Sequence, residues 1–254
     1  MFTTPQESHS HSLETLTQFS SHIDFLKSIK KVCDIGCGKG LDIRYWAELT
    51  NQDETNPQPL NIKCTALDKN QMTSAEVDLP NIRSIGHDFN TNLSPINSSS
   101  QDIVWCHDTL QYAYSPLDLL CEMNRILDPN GMLYIGVPST VNVDYGRFTS
   151  YCMNYQMFTF TLPQLMYFLA LAGFDIKDAY FKKEIRVDYI EAIVYKNSEP
   201  LSRDTNWGDL VHQDLVSESA REIINTNSFL SDYGLLTQWF DGTVYDYRNH
   251  GGRR

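Results

Sequence analysis

The densest chemistry lies in Val32-Cys33-Asp34-Ile35-Gly36-Cys37-Gly38-Lys39-Gly40, where an apolar run carrying one acid gives way to three alternating glycines. Glycine permits positive φ and lets a backbone close on a ligand. A helix pattern starts at Leu41, and the free N–H groups of a helix start favour an anion. Such a turn binds an anionic part of a cofactor, or it is simply a tight strand-to-helix connection. The spacing is G-x-G-x-G, and position 41 is leucine. The third glycine of the G-x-G-x-x-G dinucleotide turn is therefore missing, which disfavours a nicotinamide oxidoreductase.

Other reactive side chains follow the apolar runs further along. Asp68 follows 62–67, Asp88 follows 82–85, and His107 follows 102–106. A carboxylate at a strand tip suits a vicinal diol, since two acceptor oxygens meet two hydroxyl donors. Each acid also has a structural alternative, Asp68 capping a turn at Asn70 and Asp88 one at Asn90. His107 can move a proton, or it can be a hydrogen-bonded part of the frame. The six cysteines form no C-x-x-C pair and, with the histidines, no zinc spacing. Cys37 and Cys106 read as small packing residues, so no metal is expected. His9 and His11 fall in a polar stretch that reads as a solvated tail.

These groups need a frame, and hydrophobic periodicity supplies one. Residues 13–29 carry apolar side chains at helical spacing, 31–35 read as a strand, and 41–49 return to a helix. Strands are predicted at 62–67, 82–85, 102–106, 132–137, 174–181 and 187–195. Ser115-Pro116-Leu117-Asp118 and Thr161-Leu162-Pro163-Gln164 are helix starts, each with a capping hydroxyl and an early proline. Gly173 is the stop of the second. Continuous apolar strands between amphipathic helices argue for a parallel sheet covered on both faces. The expected organisation is a tail at 1–12, one domain at 13–196 and a partly helical extension at 197–254. That extension carries an amphipathic run near Val211–Ile224 and then Trp239, Phe240, Tyr245 and Tyr247, aromatics that must pack on the main domain or on a second subunit.

Composition bounds the partners. The chain has 254 residues, 41% hydrophobic and 20% charged, with a net charge of −12. That sign repels phosphate backbones and anionic membranes unless a basic stripe exists, and none is evident. No run is long enough to span a bilayer and no signal peptide is visible. Scattered cysteines in apolar strands suggest a reducing, cytoplasmic setting.

The glycine turn resembles motif I of the class I S-adenosylmethionine-dependent methyltransferases, and five later segments resemble that family in order. Ala66-Leu67-Asp68 matches the acid that holds the ribose. Gly86-His87-Asp88-Phe89 matches the segment that reads the adenine. The segment 102–110 resembles the border of the reacting methyl group. Met123-Asn124-Arg125-Ile126-Leu127-Asp128-Pro129-Asn130-Gly131 resembles the stretch before strand five. The region 158–174 is similar to the small-molecule, type 11-like branch. The likeness spans residues 30–196. It implies a Rossmann-like, doubly wound, seven-stranded sheet, mostly parallel with an antiparallel last strand.

It further implies the cofactor S-adenosyl-L-methionine, with S-adenosyl-L-homocysteine as product. Asp34, Gly36, Cys37, Gly38, Gly40, Asp68, Lys69, Asp88, Phe89, Cys106 and His107 are then the expected cofactor contacts. There are departures: Pro80 shortens the connection after Asp68, and Gln111-Tyr112 stands where the family often has Glu-His. His107 and Tyr112 remain the base candidates. The loop 139–160 is aromatic, and Tyr145 and Arg147 are its candidate acceptor contacts. A small-molecule acceptor is expected first and a protein second, with nucleic acid disfavoured. The competing reading is a non-enzymatic cofactor sensor or a structural subunit, with self-association through the extension.

Overall fold

A computed structural model describes residues 5–20, 28–50, 56, 58–70, 79–139, 156–184, 189–227 and 235–246. Helix α1 (Pro5–Ser20) leads to β1 (Lys31–Ile35), α2 (Leu41–Glu48), β2 (Lys63–Asp68), β3 (Ile82–Gly86) and β4 (Gln101–His107). A single 3-10 turn (Leu110–Tyr112) precedes α3 (Pro116–Ile126), β5 (Leu127–Pro138), α4 (Leu162–Leu171), β6 (Tyr180–Glu184) and β7 (Tyr189–Tyr195). The extension adds α5 (Trp207–His212), α6 (Glu218–Asn227) and a hairpin of β8 (Leu236–Gln238) and β9 (Val244–Asp246).

The seven strands lie in the order β3-β2-β1-β4-β5-β7-β6. The first five pair in parallel, and β7 inserts antiparallel between β5 and β6. The order reverses between β1 and β4. A doubly wound sheet opens a ligand crevice there, beyond the strand C-termini.

Local sequence sets the helix starts as expected. Ser115 Oγ accepts the Asp118 N–H, and Thr161 Oγ1 accepts the Gln164 N–H. Asn206 and Asp209 form a reciprocal capping box on α5. Helix α1 differs from the apolar pattern by starting at Pro5 rather than residue 13. Its first turns are polar, and proline suits a helix start because its missing N–H has no intrahelical partner there.

Alternating strand residues face two cores. On one side α1 and α2 bring Leu16, Phe19, Ile43 and Trp46 onto Val32, Trp105 and Tyr134. Burying each large apolar side chain contributes roughly 1.5–3 kcal/mol. On the other side α3 and α4 cover Ile35, Val104 and Ile135, joined by Leu210, Val216 and Ile223 of the extension. Trp239 is buried in the first core, and Phe240 stacks on Phe19 at 4.6 Å. The extension's aromatics thus pack on their own chain; Tyr247 lies outside the described residues. Among the described residues no helix is long and apolar enough to cross a membrane.

Candidate functional site

Three glycines of the first turn take positive φ: Gly36 at 75°, Gly38 at 51° and Gly40 at 72°. Gly36 has a second reason to lack a side chain. A Cβ there would lie 2.1 Å from Thr109 Oγ1 and 2.5 Å from its Cγ2. The turn is therefore pressed against the residues that follow β4. A Cβ on Gly38 would meet nothing within 4 Å, so that part of the turn faces open space.

Carboxylates converge on this turn. Asp68 Oδ2 accepts the Gly38 N–H at 3.1 Å and Oδ1 accepts the Asn70 N–H at 2.9 Å. Asp68 thus caps its own turn and also ties β2 to the glycines; each oxygen keeps a second lone pair for a ligand. Asp34 is 3% exposed. Burial, then the nearby Asp42 and Asp68 carboxylates, push its carboxyl well above the usual range. No described donor satisfies it, and a buried carboxylate without a donor is costly unless a cation arrives. Asp42, at the start of α2, is by contrast fully engaged: it accepts from Ser12 Oγ at 2.8 Å and Trp105 Nε1 at 2.9 Å.

The other expected contacts are arranged unevenly. Asp88 Oδ1 accepts the Asn90 N–H at 3.0 Å, which is the capping geometry, and Phe89 packs against the core. Lys69 is exposed. Cys37 and Cys106 are buried, and burial pushes both thiols far up, as it raises Cys64 to about 12. They stay protonated and fit the packing reading. Tyr112 is exposed beside the turn at 110–112, with Tyr114 more so.

His107 is 7% exposed and stands opposite Gly136 on β5. Its Nδ1 lies 3.2 Å from the Tyr134 hydroxyl, and the Tyr189 hydroxyl lies 3.3 Å from both ring nitrogens. Asp108 Oδ1 accepts from Tyr189 at 3.0 Å and from Gln111 Nε2 at 3.2 Å. Tyr134, Tyr189 and Glu191 were not legible as site residues, because tyrosines inside apolar strands read as core. The available signal was Glu191, one charge in the apolar strand Tyr189–Tyr195.

Tyr145 and Arg147 lie outside the described residues. Both ends of their loop are described, however. Ser139 follows β5 and bridges to Phe160, and the Met157 and Phe158 N–H groups donate to Gln111 O. A separate cavity of about 610 Å³ lies at the opposite end of β1–β3, lined by Lys31, Lys63 and Arg83. It contains none of the expected cofactor contacts, and the strand C-termini are where the chemistry converges.

Residues 33–135 match the family described as a methyltransferase domain. No curated protein matches the chain in sequence. Solved structures do match in fold. One is the Haloferax volcanii complex of the Trm112 methyltransferase activator with a methyltransferase, at 16% identity and TM-score 0.53, covering 70% of this chain and 89% of that one. A second is the structure described as a sarcosine dimethylglycine methyltransferase from Galdieria sulphuraria, at 13% identity and TM-score 0.56, covering 78% and 92%. A third is the Burkholderia thailandensis 1,6-didemethyltoxoflavin-N1-methyltransferase with bound 1,6-didemethyltoxoflavin and S-adenosylhomocysteine, at 16% identity and TM-score 0.50, covering 78% and 92%. Identities this low establish the fold and leave the acceptor open.

Proposed function

We propose, from the premise that residues 33–135 form a methyltransferase domain of the class I fold, that the protein transfers a methyl group from S-adenosyl-L-methionine to a small-molecule acceptor. The observation that carries the cofactor is the donorless buried carboxylate of Asp34 beside the open glycine turn. The cofactor's ammonium and sulfonium are cations, and the Asp42 and Asp68 carboxylates add to the negative field at Asp34, which a cation would relieve. Its carboxylate would meet the N–H groups at the start of α2. Asp68 would accept the ribose hydroxyls with the lone pairs left after capping. When bound, the cofactor supplies a methyl carbon on a positively charged sulfur and departs as S-adenosyl-L-homocysteine.

The chain's own part is to align an acceptor, exclude water and take any proton the nucleophile sheds. His107, with Asp108 beside it, is the group we assign to that proton. Tyr112 and the loop carrying Tyr145 and Arg147 would wall the acceptor, a reading supported by the anchoring of both loop ends at the cleft. Aromatic walls favour a flat or apolar small molecule over a protein side chain. The five described cysteines are all free, in keeping with action in the cytoplasm.

Calorimetry with S-adenosylmethionine, S-adenosylhomocysteine and NAD tests the cofactor, and mass spectrometry of products tests turnover. Binding of either adenosyl ligand with a raised melting temperature is expected. Asp68→Ala should weaken it at least tenfold, from charge-assisted bonds of roughly 1.5–3 kcal/mol. Tight binding of NAD alone would defeat the proposal. Adenosyl-ligand binding without a methylated product across a panel of acceptors would favour the sensor reading.

A further inference from the structure

The connection from β3 to β4, residues 87–100, contains no helix. Residues of 95–101 and of strands β1, β2 and β3 instead enclose the cavity of about 610 Å³ at the far end of those strands. Three cations line it, and strand register brings them together. Lys31 of β1 pairs with Lys63 of β2, and Thr65, two residues on, pairs with Arg83 of β3. Partners in a parallel register share a face of the sheet, as do residues two apart on one strand. Lys31, Lys63 and Arg83 therefore stand on one face of three adjacent strands, each about 4.8 Å from the next. All three are exposed, and none forms an ion pair among the described residues. Asp102, the next carboxylate along from the cavity, accepts the backbone N–H groups of Lys30 and Lys31. Like charges side by side destabilise a sheet. In a chain of net charge −12 such a cluster also inverts the sign of the surrounding field. An anion seated among the three would remove that repulsion.

The rest of the lining narrows the ligand. Ile82, Ile85 and Ile96 make part of the wall aliphatic. Among the described residues the cavity has no acidic and no aromatic side chain, so a nucleotide base would find no ring to stack on. Gln101 also lines it and is 7% exposed. Its Nε2 donates to Ser100 Oγ at 3.0 Å, and Ser100 spends its own proton on Asn97 O at 2.7 Å. Those two bonds fix which end of the amide is which, and they leave Oε1 buried with no partner. A buried acceptor without a donor is costly. A hydroxyl on the ligand would supply one. The volume falls in the range of small-molecule pockets rather than of a protein docking face. The planar guanidinium fork and two ammonium groups together match a phosphate group.

We infer that this cavity is a second ligand site, for a phosphate monoester of a small polyol. Its phosphate lies among Lys31, Lys63 and Arg83, and a hydroxyl turns toward Gln101. The site shares strands with the glycine turn but not residues: roughly 10 Å of β1 separates Lys31 from Asp34. The two ligands are therefore held at once. Neither the geometry nor its test depends on methyl transfer.

Isothermal titration calorimetry of the full-length protein with glucose 6-phosphate, inorganic phosphate and glucose tests the inference. Glucose 6-phosphate should bind at one site, at least fivefold more tightly than inorganic phosphate, and glucose should not bind. Lys63→Gln and Arg83→Gln should each weaken glucose 6-phosphate at least fivefold. Lys177→Gln changes the charge equally at a distant surface and should leave the affinity unchanged, as should saturation with S-adenosylhomocysteine. Both cavity substitutions fall on exposed side chains, and melting of the ligand-free Lys63→Gln protein should stay level or rise, because it relieves Lys31. A fall in that melting temperature would show that Lys63 already has a stabilising partner, and would count against the site. Equal weakening by Lys177→Gln would reduce the effect to net charge. Inorganic phosphate binding as tightly as glucose 6-phosphate would leave an adventitious ion only. Binding of a polyglutamate peptide with no response to glucose 6-phosphate would assign the cations to an acidic protein segment. Any of these results, or no saturable binding at millimolar glucose 6-phosphate, overturns the inference.

Discussion

Replacing Gly36 by alanine separates two physical effects that meet at one atom. The first is conformational: at φ 75° an L-residue pays roughly 1–2 kcal/mol for its Cβ. The second is overlap. The new Cβ would stand 2.1, 2.5 and 2.8 Å from Thr109 Oγ1, Cγ2 and Cβ, all closer than a non-bonded contact allows. Thr109 can withdraw only by giving up its hydrogen bond to His107 O at 3.0 Å, and its neighbourhood is buried. Overpacking of this kind costs roughly 1–3 kcal/mol. The single variant should therefore lose roughly 2–5 kcal/mol of unfolding free energy. Urea denaturation of Gly36→Ala, Thr109→Gly and the pair, at one pH, isolates the terms. Thr109→Gly removes all three clashing atoms, so the pair should recover the overlap part as a coupling energy of roughly 1–3 kcal/mol, leaving the backbone part. Strict additivity, or a Gly36→Ala variant within about 0.5 kcal/mol of wild type, would show that the glycine turn is not pressed against the β4 loop as described.

Asp34 yields a pH prediction. Its folded-state carboxyl is raised above the unfolded value, so its contribution to stability is fully present below the unfolded value and is lost as pH rises through the folded one. Melting of the ligand-free protein should thus decline from mildly acidic to neutral pH, and Asp34→Asn should flatten that decline while weakening S-adenosylmethionine binding at least tenfold; a steeper decline, or unchanged affinity, counts against the assignment. In the loop 139–160, Tyr145→Ala and Arg147→Ala should slow methyl transfer while holding cofactor affinity within about threefold, under 1 kcal/mol. If calorimetry shows cofactor binding lost instead, the loop serves the cofactor rather than the acceptor.

Local order was legible because it rests on local physics. The apolar runs gave β1 to β5, and the hydroxyl-plus-proline starts gave α3 and α4, since periodicity and capping act over a few residues. The glycine turn and Asp68 could be read for the same reason. At Asp68 the structure shows the capping geometry, its two oxygens accepting from the Asn70 and Gly38 N–H groups. The short hairpin β8–β9 was not foreseen, because its strands are three residues each.

What only the tertiary structure decided is which distant side chains meet. Thr15 reaches Glu191 across 176 residues of sequence, and Tyr134 reaches it across 57. Pattern reasoning assigns a strand tyrosine to the core, and here that is correct for its ring and incomplete for its hydroxyl. Strand order places β7 beside β5 and so brings Tyr189 to His107 and Glu191 to Tyr134. Gly136 shows the difference most plainly. In sequence it is one small residue in an apolar strand; in the fold it is the space that His107 and Tyr189 occupy together. Hydrophobic spacing specifies which face a residue takes, but the partner across that face is set by packing of whole elements, to which a single-sequence period carries no reference.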